Sequence, residues 1–158
     1  MNILYVCTHN RCRSILCEAL TNHLSRGRIT AYSAGSQPAG EVHPETLKHL
    51  ARRGVATSAL YSKSWNVFET VPLDAVITVC DSAAGESCPL WMGDAVRAHW
   101  GLEDPSRVVG SPDVVDAAFD KLIARIEKHI HGLLDASLAT LEGEALRSAL
   151  NSIAKGDV

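Results

Sequence analysis

The sequence predicts an α/β protein, a three-layer α/β/α arrangement around a four-stranded parallel sheet. Two patterns carry this reading. Short apolar or β-branched runs alternate with stretches of helical spacing, as in parallel sheets with helices on both faces. A polar, cysteine-bearing loop also follows the first run directly, at the carboxyl edge where such sheets hold their ligands.

In chain order, Asn2 to Val6 reads as a buried strand feeding a helix from Ser14 to about Arg26, whose apolar positions are Ile15, Leu16, Ala19, Leu20 and Leu24. Arg28 to Ser33 is a second strand, ending at Ala34-Gly35. Pro44 to Arg53 has helical spacing at Leu47, Leu50 and Ala51, with Gly54 as its stop. Residues 55 to 70 show no clear element. Leu73 to Cys80 is a β-branched run suited to a central strand, and Ala95 to Trp100 forms the fourth. Asp113 to about Leu134 is a long helix with Val114, Ala117, Leu122, Ile126 and Ile130 on one side. Beyond Asp135 a helical spacing continues through Leu138, Leu141, Ala145, Leu146, Ala149 and Leu150, interrupted at Gly143. We expect a single domain over 1–135 with 136–158 as a helical extension of it, its apolar face covered by this domain or by a second copy.

A chain of 158 residues suffices for a substantial core. Its 15 Lys and Arg against 18 Asp and Glu leave no basic block, so nucleic acid is not an expected partner. No apolar stretch approaches the roughly 18 residues of a membrane span, and no basic segment precedes an apolar one at the N-terminus. A cytoplasmic protein is expected, its five cysteines being free or redox-active thiols.

The chemistry concentrates at Cys7 to Ser14, Cys-Thr-His-Asn-Arg-Cys-Arg-Ser. A helix N-terminus and a nearby cation favour a thiolate over a thiol. Five residues between Cys7 and Arg13 let a tight loop aim a sulfur, a guanidinium fork and backbone N–H groups at one tetrahedral oxyanion. Ser14 is placed to hydrogen-bond the sulfur. The bland alternative is a strand-to-helix turn that happens to hold a small buried cysteine.

This Cys-x5-Arg-Ser loop after one N-terminal strand resembles the low-molecular-weight protein tyrosine phosphatase fold, and residues 1 to 133 resemble its thioredoxin-linked arsenate reductase branch. The resemblance implies that Cys7 is the nucleophile, that Thr8, His9, Asn10, Arg11, Cys12 and Arg13 bind the oxyanion, and that Asp104 of the Asp-Pro pair is the general acid. It further implies a relay in which Cys80 attacks the Cys7 adduct and Cys88 takes over the disulfide, for an external reductant such as thioredoxin, or glutathione with glutaredoxin. No metal or organic cofactor is implied. The expected activity is reduction of arsenate to arsenite in arsenic detoxification. The alternative is phosphomonoester hydrolysis, and a remoter one is sequestration of arsenite or metal without turnover. Ser106 and Arg107 stand where phosphatases carry aromatic residues, which disfavours a phosphotyrosine substrate.

Three departures stand out. His9 and Arg11 replace a usual Gly and Ser, and Cys80 and Cys88 are one residue further apart than is usual. Asn10, Glu18 and Ser33 match three ligands of a potassium ion held beneath the loop in some members, with Lys63 falling at the fourth. Its ammonium is expected to stand in for the ion, the alternative being a solvated surface charge. Cys12 and Cys17 read as packing thiols, and the seven histidines show no metal-ligand spacing.

Overall fold

The structure, a computed structural model, describes residues 1–85, 89 and 92–156. Strands β1 (Asn2–Val6), β2 (Thr30–Ala34), β3 (Ala75–Thr78) and β4 (Val96–His99) form one sheet in the order β2-β1-β3-β4, every pair parallel. Consecutive strand residues point to opposite faces. Ile3, Leu4 and Tyr5 are all wholly buried, as are Ala75 and Ile77, so both faces of the two central strands are covered.

The helices are α1 (Arg13–Ser25), α2 (Pro44–Arg52), α3 (Asp81–Ala84), α4 (Pro112–Asp135) and α5 (Gly143–Lys155). α1 stops where Arg26 and Gly27 take left-handed backbone, φ 49° and 88°. The next strand therefore begins at Thr30, two residues later than its sequence suggests, with Asn22 bonding both the N–H and the carbonyl of Ala31. The region 55 to 70 contributes a single 3-10 turn, Trp65–Phe68, started by Ser64 accepting from the Asn66 N–H.

Two expectations are corrected. The buried stripe of α4 starts at Phe119 and runs through Leu122, Ile126 and Ile130, whereas Val114 and Ala117 are exposed. The first turns meet the 3-10 turn Pro105–Arg107 rather than the sheet, and Val114 packs against Gly110. The tail helix is not interrupted at Gly143 but starts there, on a left-handed φ of 54°.

α5 lies on β4 and α4. Its buried residues Leu146, Leu150 and Ile153 share one face, Ile153 nesting where Gly132 of α4 has no side chain. Trp100, wholly buried, donates its indole N–H to the Leu150 carbonyl at 2.9 Å, and the His99 N–H reaches Asn151 Oδ1 at 3.2 Å. The apolar face of the tail is thus covered within this chain.

Candidate active site

Parallel register brings the chemistry to one edge. Val6 pairs with Thr78, so the chain leaves β1 at Cys7 and β3 at Val79-Cys80 side by side, with the Val79 N–H donating to the Val6 carbonyl. Cys7, Cys80, Arg13 and Asp104 line one cavity of about 390 Å³, together with Arg11 and Arg107. A larger cavity of about 720 Å³ lies at the opposite end of the sheet among Leu73, Asp74, Met92 and Leu146, and none of the described cysteines lines it. Chemistry rather than size marks the candidate.

The loop is shaped from outside. The carbonyls of Thr8, His9 and Arg11 accept from the N–H groups of Gln37, Ala39 and His43, each at 2.9 Å. In a trans peptide the following N–H points the opposite way, so those of His9, Asn10 and Cys12 turn away from that flank. Asn10, wholly buried, takes left-handed backbone (φ 46°), a conformation Asn tolerates better than most residues. Its Nδ2 donates to Ser14 Oγ at 2.8 Å and to Ser33 Oγ at 3.0 Å, while its Oδ1 accepts from the Lys63 N–H at 2.9 Å. Ser14 Oγ accepts from Asn10 and lies 2.9 Å from Cys7 Sγ, so its own hydroxyl proton is within reach of a thiolate there. Gly35 sits against the loop so closely that a Cβ there would lie 2.5 Å from the Thr8 carbonyl oxygen.

Beneath the loop, Lys63 is buried rather than solvated. Its Nζ donates to the Tyr61 carbonyl at 2.9 Å and lies 3.2 Å from Glu18 Oε1 and 3.4 Å from Ser33 Oγ, over the Tyr61 ring. Ser33 also donates to Glu18. The donor set that would hold a potassium ion is therefore already engaged by an ammonium, and the residues do not fit a further cation.

Arg13, at the first turn of α1, donates to the Leu102 carbonyl at 3.1 Å and places Nη2 3.5 Å from Asp104 Oδ2. Asp104 Oδ1 accepts from Ser106 twice, from its N–H at 3.0 Å and its hydroxyl at 2.6 Å, and Arg107 Nε stands 3.5 Å from Oδ2. Ser106 and Arg107 thus orient the carboxylate, a role their sequence position beside an Asp-Pro pair could have suggested.

Cys80 caps α3, its Sγ accepting from the Ala83 N–H at 3.4 Å and lying 3.8 Å from Thr8 Oγ1. Cys88, the third member of the expected relay, lies outside the described residues. All four described cysteines are free and buried. Burial pushes the Cys12 thiol up to about 12, against a smaller opposing effect of Thr46, and raises Cys17 as well. Both suit neutral packing thiols. His9 is exposed and Arg11 half-buried at the cavity rim. The histidine spacing overlooked one feature: Glu45 and His49, one turn apart on α2, converge with Asp116 of α4.

The low molecular weight phosphotyrosine protein phosphatase family model matches residues 2–146. An arsenate reductase of Shouchella clausii is 32% identical over 130 residues, covering 80% of this chain and 92% of its own length. A glutaredoxin arsenate reductase of Synechocystis is 29% identical over 103 residues, 65% of this chain and 77% of its own length. In structure, a thioredoxin-dependent arsenate reductase of Corynebacterium glutamicum superposes with a TM-score of 0.62 at 31% identity, covering 85% of this chain, which spans 60% of that protein. The fold, the loop after β1 and these matches agree: the chain belongs to the low molecular weight phosphotyrosine protein phosphatase family.

Proposed function

We propose that this enzyme reduces arsenate to arsenite through Cys7, Cys80 and Cys88. The observation that carries the reading is the second thiol: Cys80 lines the same cavity as Cys7 and Arg13, and ester hydrolysis has no use for it. Arginine and the loop N–H groups hold the oxyanion. The Cys7 sulfur attacks arsenic; an S–As bond forms, an As–O bond breaks, and Asp104 protonates the departing oxygen so that water leaves. Cys80 sulfur then attacks Cys7 sulfur. The S–As electron pair stays with arsenic, which departs as arsenite; the two thiols, having given two electrons to arsenic, are left joined as a Cys7–Cys80 disulfide. Cys88 attacks Cys80 in turn, freeing Cys7 and leaving a Cys80–Cys88 disulfide for a dithiol reductant.

The similar proteins include both a thioredoxin-dependent and a glutaredoxin enzyme, and we take a thioredoxin-type dithiol protein of the cytoplasm as the reductant. Thiol counting after one equivalent of arsenate tests the reaction: two thiols should disappear per arsenate reduced. Steady turnover of a phosphomonoester without reductant, with no thiol lost on arsenate, would establish the phosphatase reading instead.

A further inference from the structure

Away from the Cys7 cavity, one cluster of metal-ligating side chains is found among the described residues. One donor atom from each of Glu45, His49 and Asp116 lies within 4.8 Å of the others, bridging α2 and α4. His49 is wholly buried and stacked on Phe119, ring centroids 4.6 Å apart. Its Nδ1 lies 2.8 Å from the Glu45 carbonyl oxygen, which can only accept, so Nδ1 carries a proton. In the neutral ring Nε2 then carries a lone pair, as a carbonyl accepting from the other ring nitrogen commonly arranges for a metal-binding imidazole.

Nε2 nevertheless stands 3.1 Å from Asp116 Oδ1. A lone pair and a carboxylate oxygen repel at that distance, so something positive belongs with them. A second ring proton would make the contact an ion pair; a metal ion is the other positive group that fits, and Nε2 is buried without a hydrogen bond despite the short separation. An ion about 2.0 to 2.1 Å from each atom stands off the line between them and subtends about 100°, within the tetrahedral-to-octahedral range. Glu45 Oε2 is likewise buried without a hydrogen bond. Lys48 and Arg52 stand by the other oxygens, Glu45 Oε1 at 3.8 Å and Asp116 Oδ2 at 3.4 Å; Oδ1 faces Nε2, and Oε2 lies at the ring's edge, 3.6 Å from Nδ1. Both carboxylates are partly exposed, which gives an ion its way in.

We propose that Glu45, His49 and Asp116 bind a first-row divalent metal ion of the zinc class, with solvent completing its coordination. The ion clasps α2 to α4. Because His43, at the start of α2, donates to the Arg11 carbonyl at 2.9 Å, the clasp steadies the helix on which the Cys7 loop leans. This site is independent of the arsenate reading.

The full chain, its accessible thiols first blocked with iodoacetamide so that they do not compete, is titrated calorimetrically with zinc chloride at mildly alkaline pH. Saturation at one ion per chain is expected, with affinity reduced at least roughly tenfold in His49→Gln and in Asp116→Asn. Asp116 is at the surface, so its variant reads the site even if His49→Gln does not fold. No saturable binding, or binding in Asp116→Asn equal to the parent, overturns the proposal. So does an imidazole NMR spectrum in which His49 Nε2 keeps a proton in the zinc-loaded protein.

Discussion

Asn10 shows how much one residue carries here: it bends the loop with left-handed backbone and ties Ser14, Ser33 and the Lys63 N–H together. Gly35 and Lys63 complete the support. A methyl at Gly35 would collide with the backbone oxygens of Thr8 and Cys7, at 2.5 and 2.9 Å. Gly35→Ala should cost about 1–3 kcal/mol in urea unfolding and lower kcat/KM further than that loss accounts for, because the loop itself must shift. Unchanged activity would show that the loop absorbs the methyl.

Lys63 makes a sharper prediction. Its ammonium and the Glu18 carboxylate are buried together, 5% and 12% exposed, and removing one partner of such a pair costs about 3–5 kcal/mol. The parent should melt at the same temperature in KCl and NaCl. Lys63→Met should be destabilised by that amount and regain part of it in KCl alone. A clear potassium-specific rise in Tm for the parent would refute the substitution of ion by ammonium.

At the scale of elements, the helix–strand alternation was legible because periodicity is local, and β1, α2 and β4 fall within about two residues of where their patterns place them. The stripe of α4 was less legible. Val114 and Ala117 fit the helical spacing of Leu122 and Ile126, but periodicity cannot tell that the first turns project beyond the sheet.

α4 also carries His129, buried edge-on to Trp100 with centroids 4.9 Å apart and Nδ1 unpartnered. Burial, helped by Arg125 and Lys128, lowers its pKa from 6.5 to about 4. Between those values the unfolded chain takes up a proton that the folded one refuses. Stability is therefore whole above about pH 6.5 and falls as pH drops toward 4, by up to on the order of 3 kcal/mol. His129→Leu should flatten that part of the acid limb in urea-unfolding midpoints; an unchanged slope would show that other groups set it.

The molecule as a whole places α5 as a cover for the β4 edge, sealed by Leu146, Leu150, Ile153 and the Trp100 indole bond. Leu150→Ala should cost about 2–5 kcal/mol. A chain ending at Asp135 should expose Trp100, lower Tm and associate in sedimentation experiments. A stable monomer with unshifted tryptophan fluorescence would mean that α5 is dispensable to the core.

Read alone, the chain determined the sheet-and-helix class, the loop from Cys7 to Ser14 and the placing of Cys80 at the same edge. Strand periodicity and short motif spacing are properties of neighbouring residues, and the strand–helix alternation they reveal implies parallel alignment, which brings the strand ends to one edge. Only the tertiary structure decided that Lys63 is buried against Glu18, that Gly35 must lack a side chain, that α5 covers β4, and that Glu45 and His49 meet Asp116. Each of these joins residues far apart in sequence, whose meeting depends on how the helices pack on the sheet. No local pattern encodes that distance.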